Sequence, residues 1–350
     1  MGKNTSRHVI SILLVVAISV GFIYFQFRNV NWSMVFDVLK NVNLVYIGIA
    51  CLAMFLYWWL EAVVLQRFGK QADPALKLRT SFRITMIGQF FNSVTPFASG
   101  GQPAQLYLLT RRKIDIGLAS SVLLIKFIIY QAVIVGTFIF FLIVGFPLLG
   151  HTTFEIKYLI LIGFVINLGV IVALMTVARS ERVASAIVHF LLKPALLFVK
   201  KEKREGIRES AADKIKSFHE ESVRFSGNKR LIWECVGYTI VQLVFYLSIP
   251  YFVLLSMGVT DVGLMTVMTY HAFVMKLSSS IPTPGGSGGA EYSFTSFFGM
   301  VLSPDKLVIG LILWRLITYY SCTIFGAIAM IPFGRRAKNR RKKSLGQNAR

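Results

Sequence analysis

Thr95-Pro96-Phe97-Ala98-Ser99-Gly100-Gly101 recurs in the same chain as Thr283-Pro284-Gly285-Gly286-Ser287-Gly288-Gly289, each time between strongly apolar segments. Proline lacks the amide donor a helix needs and glycine disfavours helix, so each copy interrupts helical structure. At membrane depth a broken backbone is tolerated only where it is buried in protein or lines a cavity. Two such breaks in corresponding places predict a transport site made from two related halves.

The flanking sequence agrees with a membrane setting. The chain has 350 residues, is 55% hydrophobic with a mean hydropathy of +0.63, and carries a formal net charge of +22, a combination foreign to soluble domains. Six stretches are long and nearly free of charge: 8–27, 44–66, 127–149, 158–178, 235–257 and 307–333. At 1.5 Å rise, about 20 residues cross the hydrocarbon core, so all six are predicted to span. No small-x-small site follows the first, which therefore reads as an uncleaved helix rather than a signal peptide. Cys51, Cys235 and Cys322 lie inside apolar runs and are expected as free thiols, with no disulfide or zinc spacing.

Basic residues set the orientation. Both terminal segments and the segments 67–83, 111–113 and 179–230 hold 31 of the 38 Lys and Arg residues, which predicts that all of them, both termini included, face the cytoplasm of a plasma membrane. The apolar stretch 84–109 lies between two of these basic segments and must return to the side it entered, so it reads as a re-entrant hairpin. The stretch 264–302 then opens to the outside, and the two hairpins point at each other as an inverted repeat. Two short spanning helices joined by a loop would satisfy the same parity. The expected architecture is an all-α polytopic membrane protein, a single domain over 1–335 with a basic cytoplasmic tail at 336–350. Within it, 179–230 carries 13 basic and 7 acidic residues and reads as an interfacial helix followed by a solvated one.

The hairpin tips have chemistry of their own. Glycine leaves backbone N–H groups exposed, and a helix beginning there offers unpaired donors and a positive dipole end to an anion such as a phosphate. Ser99 and Ser287 occupy N-cap positions before Gly100-Gly101 and Gly288-Gly289. With Asn92, Thr95, Gln102 and Thr283 they make up the candidate head-group site; the competing reading is that the small residues only permit close helix packing. Intramembrane charges are costly and each needs a reason. Lys276 and Arg315 are candidates for a phosphate clamp with Glu291 holding one of them, or Glu291 forms a structural ion pair with either. Arg83 stands at the cytoplasmic mouth of the first hairpin. Glu61 and Lys126 lie near the ends of apolar runs and are expected to snorkel to the interface, and His271 is expected to pack. No catalytic residue, metal or cofactor is expected: Gly285-x-Ser287-x-Gly289 resembles a nucleophile elbow, but no histidine follows His271, and phosphate-loop and zinc-protease motifs are missing.

At the hairpins the chain resembles the membrane domain of the lysylphosphatidylglycerol synthase/flippase family, the multiple peptide resistance factors and their stand-alone relatives. The segments Phe91-Asn92-Ser93-Val94-Thr95-Pro96-Phe97-Ala98-Ser99-Gly100-Gly101-Gln102-Pro103 and Ile281-Pro282-Thr283-Pro284-Gly285-Gly286-Ser287-Gly288-Gly289-Ala290-Glu291 carry the resemblance. It implies movement between leaflets of an anionic or aminoacylated phospholipid, or a related lipid-linked head group. Full-length synthases add a cytosolic aminoacyl-transferase domain, which this chain is expected to lack. Where many relatives carry Glu after the first Gly-Gly, this chain has Gln102. Alternatives are a membrane component of phosphatidylglycerol lysyltransferase and a scaffold for a cytosolic lipid enzyme. The expected partners are membrane lipids, with a cytosolic lipid-modifying enzyme and a second copy of the chain as further candidates. Nucleic acid is not expected, because the basic charge is spread over the connections between spans.

Overall fold

The structure is a computed structural model that describes residues 33, 37, 40–145, 154–188, 201–279 and 281–331. Its helices are α1 (Leu44–Ala72), α2 (Leu78–Val94), α3 (Gly101–Thr110), α4 (Ile116–Val144) and α5 (Phe154–Arg179), then a short helix at 181–188. They continue with α6 (Lys201–Gly227), α7 (Lys229–Ser256), α8 (Leu264–Ser279), α9 (Gly289–Phe298) and α10 (Pro304–Arg315). A π-helical turn, Leu316–Tyr320, carries α10 on to Ile331. The described residues contain no strand, only an isolated antiparallel bridge between Pro96 and Pro284.

Among the described residues, four helices are long and apolar enough to cross a bilayer: α1, α4, α7 and Pro304–Ile331. They match four of the six expected spans; α1 ends later and the other three begin earlier, because polar residues extend a helix past its apolar run, while α4 stops at Val144, short of the expected 149. Asn43, Asp115 and Asn228 cap α1, α4 and α7 by accepting from the first free N–H groups. Of the other two expected spans, 158–178 falls in α5, and 8–27 lies outside the described residues. The outer faces of the long helices expose Leu52, Phe55, Ile139, Phe140, Ile240, Val244, Ile324 and Ile328, a surface that suits lipid rather than water.

The chain repeats one plan. A long helix, a short helix, a proline turn, a second short helix and a long helix occur as α1 to α4 and again as α7 to α10. Ile116 follows Thr95 by the same interval at which Pro304 follows Thr283. The matching helices α1 and α7 run antiparallel along their whole length. Asn43 N–H donates to Ser256 O at 2.8 Å at one end, and Arg67 pairs with Glu234 at 2.7 Å at the other.

The two hairpins open to opposite ends of the molecule. Arg112, just past α3, pairs with Asp73, just before α2, at 2.8 Å, so the first hairpin's feet lie together by the end of α1. The feet of the second lie together by the end of α7, where residues 261–263 and 300–302 line one surface hollow. Each hairpin's first arm packs on the other half's last helix. Phe273 of α8 meets Phe138 of α4 edge-on at 5.9 Å, and Arg83 Nε of α2 donates to Ala329 O beyond α10 at 2.8 Å. In the connection 179–230, α6 docks on α4 through Ser121, whose hydroxyl donates to Phe218 O at 2.8 Å. The reading of an interfacial helix at 183–199 falls largely outside the described residues.

Candidate functional site

The two proline turns share one pattern of bonds at their tips. In the first, Ala98 N–H donates to Thr95 O and Ser99 N–H to Pro96 O, both at 3.2 Å; in the second, Gly286 N–H donates to Thr283 O at 3.1 Å and Ser287 N–H to Pro284 O at 3.2 Å. The hydroxyls of Ser99 and Ser287 each reach the carbonyl of the proline three residues back, at 2.9 Å. The geometry needs two successive residues in the left-handed region. The second copy supplies Gly285 and Gly286 at φ 61° and 63°, whereas the first uses Phe97 and Ala98 at 54° and 51°. A side chain there costs about 1–2 kcal/mol. Allowing for the entropy glycine loses on folding, Ala98→Gly is expected to stabilise the protein by about 0.5–1 kcal/mol. Chemical denaturation in detergent micelles measures this, and a loss of stability would show that the Ala98 methyl makes a contact worth more than the strain.

Pro96 and Pro284 face each other in the antiparallel bridge. Neither has an N–H, so they occupy the non-hydrogen-bonded register, in which flanking amides and carbonyls carry the pairing. The tips of the two halves thus meet directly.

Behind this junction lies a cavity of about 260 Å³, walled by both turns, α2, α7, α8 and α10. Arg315 lines it and is buried. Its Nη2 pairs with Glu291 Oε1 at 2.7 Å, with side-chain exposures of 5% and 0%, and its Nη1 donates to Gly285 O at 3.3 Å. Glu291 Oε2 accepts from Gly288 N–H at 2.6 Å, so this carboxylate caps α9 and is the anion at that helix N-terminus. Arg315 Nε–H makes no hydrogen bond among the described residues. The guanidinium lies over the rings of Trp314 and Tyr319, 5.3 and 5.1 Å from their centroids. Tyr319 also donates to Ser93 O at 2.8 Å, tying α10 to α2. A Cβ at Gly285 would overlap the Tyr319 ring, so both the left-handed φ and the close approach require glycine there.

Of the expected site residues, Asn92, Thr283 and Arg315 line the cavity, and Glu291 is held behind Arg315. Thr95, Ser99, Gly100 and Gly101 build the first turn: Thr95 Oγ1 accepts from Gly100 N–H and Asn92 Oδ1 from Gly101 N–H, both at 2.8 Å. Ser287, Gly288 and Gly289 build the second, where Thr283 Oγ1 donates to Ser287 O at 2.8 Å and Glu291 accepts from Gly288 N–H. The backbone donors expected for an anion at Gly100, Gly101 and Gly288 are thus already bonded to the chain's own side chains. Gln102 is half-buried outside the cavity lining, and Arg83 holds the end of α10 rather than the cavity mouth. Lys276 is buried and lies over Phe138 at 5.7 Å, outside the cavity lining. His271 packs as expected, between Trp314 Nε1, which donates to its Nε2 at 3.1 Å, and Leu247 O at 3.2 Å.

Glu61 and Lys126 do not snorkel. They pair with each other at 2.7 Å, with side-chain exposures of 13% and 8%. Gln89 Nε2 donates to Glu61 at 2.6 Å, and Lys126 Nζ also donates to Gln105 Oε1 at 3.3 Å. Because Ile116 and Pro304 correspond, Lys126 sits within one residue of the place in α4 that Arg315 holds in α10. Each half therefore buries a basic residue at this place, and Gln89, which lines the cavity, links the first pair to it. The signal available in sequence was this shared position, together with two opposite charges in neighbouring apolar helices.

The sequence matches the family described as "Lysylphosphatidylglycerol synthase TM region" over residues 12–326. It is 26% identical over 324 residues to a "UPF0104 membrane protein" of Archaeoglobus fulgidus, covering 92% of this chain and 95% of that one. A second protein of the same description, from Methanocaldococcus jannaschii, is 24% identical over 363 residues, covering 97% and 98%. With most of its length matched, the chain belongs to the lysylphosphatidylglycerol synthase membrane-region family.

Proposed function

We propose that this member of the lysylphosphatidylglycerol synthase membrane-region family moves phospholipid head groups between the leaflets of a plasma membrane. The observation that carries the reading is the junction of two like turns, one from each half, in front of a largely apolar cavity lined by a buried arginine. The head group would rest in that cavity while its tails stay in lipid, and rocking of one half against the other would open the cavity to each side in turn. Further support comes from helix length. The second arms α3 and α9 have ten residues each, about 15 Å, roughly half the hydrocarbon thickness. Hairpins with such arms, opening to opposite ends of the molecule, suit re-entrant elements of an inverted repeat.

In this reading both termini are cytoplasmic. A cysteine placed at Lys113 is expected to react with an impermeant maleimide only after the membrane is opened, and one at Asp305 in intact cells. Labelling of both from outside would remove the inverted arrangement.

Purified protein in vesicles with tail-labelled phospholipids tests the function. Label initially hidden in the inner leaflet is expected to become accessible to an external quencher faster than in protein-free vesicles. Equal rates across a panel of head groups, with and without protein, would overturn the reading.

A further inference from the structure

We infer that the cavity selects an anionic, hydroxyl-bearing head group, a phosphorylated polyol, and rejects a cationic aminoacyl head group. This rests on the lipid-transport reading and narrows its cargo.

The argument is a count of what the walls leave unspent. Arg315 commits two nitrogens to Glu291 and Gly285 O and keeps its Nε–H without a partner, although the residue is buried. Asn92 spends its carbonyl on Gly101 N–H, so the amide group it retains for a ligand is a donor. The carboxylates are not open to a ligand. Neither lines the cavity. Glu291 is fully buried, its charge matched by Arg315 and its Oε2 bonded by Gly288 N–H, and Glu61, reached only through Gln89, is paired with Lys126 and bonded by Gln89. An ammonium group entering here would find no acceptor of full negative charge.

Aromatic faces are the other usual receptor for a cation. Of the four aromatic residues on the wall, Trp314 and Tyr319 already have the Arg315 guanidinium over their rings, Tyr246 packs on His271 and Tyr57, and Phe97 is largely exposed. A second cation would meet a like charge in a site of low dielectric. A phosphate instead complements the guanidinium charge and, drawn against it, would give the buried Nε–H the partner it lacks, and polyol hydroxyls suit Ser278, Thr283 and the Gln89 carbonyl on the wall. At about 30 Å³ per water, the cavity holds the equivalent of roughly nine waters, enough for a phosphate with a short polyol.

The test compares ligands on purified full-length protein in detergent and in vesicles. Short-chain phosphatidylglycerol is expected to raise the melting temperature and to bind at least about tenfold more tightly than short-chain lysylphosphatidylglycerol, the worth of one charge-assisted hydrogen bond. Tail-labelled versions should show the same order of leaflet exchange. Equal or tighter binding of the lysyl lipid by the wild type overturns the inference, and this ratio decides the matter by itself. Asn92→Asp keeps the acceptor for Gly101 N–H but replaces the donor by a carboxylate oxygen, so it should shrink or reverse the ratio; an unchanged ratio removes Asn92 from the selecting wall. Soluble glycerol 3-phosphate separates lipid from free ligand. If it stabilises the protein while the lipid neither binds nor exchanges, the phosphate-polyol chemistry stands and lipid transport falls.

Discussion

Arg315→Gln is expected to destabilise the protein by about 3–5 kcal/mol, the cost of stranding one member of a buried ion pair. Glu291 would lose its partner at 2.7 Å while fully buried, and Gly285 O would lose its donor at the tip of the second turn. Adding Glu291→Gln removes the stranded charge, and the amide can still accept from Gly288 N–H. Most of the stability should return in the double variant, as measured by denaturation in micelles. Transport separates the two roles of the arginine. With the guanidinium gone, the double variant should fold yet exchange phosphatidylglycerol slowly. Full exchange would confine Arg315 to holding the fold.

Lys126→Met should be nearly as damaging, again by about 3–5 kcal/mol. The change leaves Glu61 buried with Gln89 as its remaining partner. Had Lys126 reached water at the interface, its loss would cost no more than about 1 kcal/mol, so the size of the effect distinguishes the two placements. Glu61→Gln in the same chain should recover much of the loss, since two amides can bond each other. A double variant as unstable as the single one would mean that the lysine acts through packing of its stem.

The plan of the fold was legible because it rests on coarse chemistry. Apolar length revealed α1, α4, α7 and the last helix, and the paired Thr-Pro turns marked the two breaks and their equivalence. Residue partnership was harder to read. Lys126 was taken for an interfacial residue because the apolar run begins at Phe127, yet α4 begins at Ile116, with Asp115 as its cap, and Lys126 lies well inside it. Lys276 and Arg315 looked interchangeable as clamp residues. Sequence spacing could not say that α8 turns Lys276 toward Phe138 while α10 turns Arg315 toward Glu291. The glycines were read correctly as features of a turn, but not their satisfaction by Asn92, Thr95 and Glu291, which depends on side chains folding back over the turn.

The bridge between Pro96 and Pro284 joins two copies of one turn, contributed by halves whose first helices run antiparallel. It is the contact that the subunits of a two-fold dimer make with each other, here enclosed in one polypeptide. A true homodimer would have to carry the same residues on both sides. Fusion frees them to differ: one side keeps Gly285 and Gly286, while the other bears Phe97 and Ala98 in the same left-handed conformation. One half pairs its buried cation with Glu291 on the hairpin, the other with Glu61 on the leading helix. The covalent link thus turns a symmetric contact into one with a distinguishable left and right, so the two access states that rocking would produce need not be equal in energy.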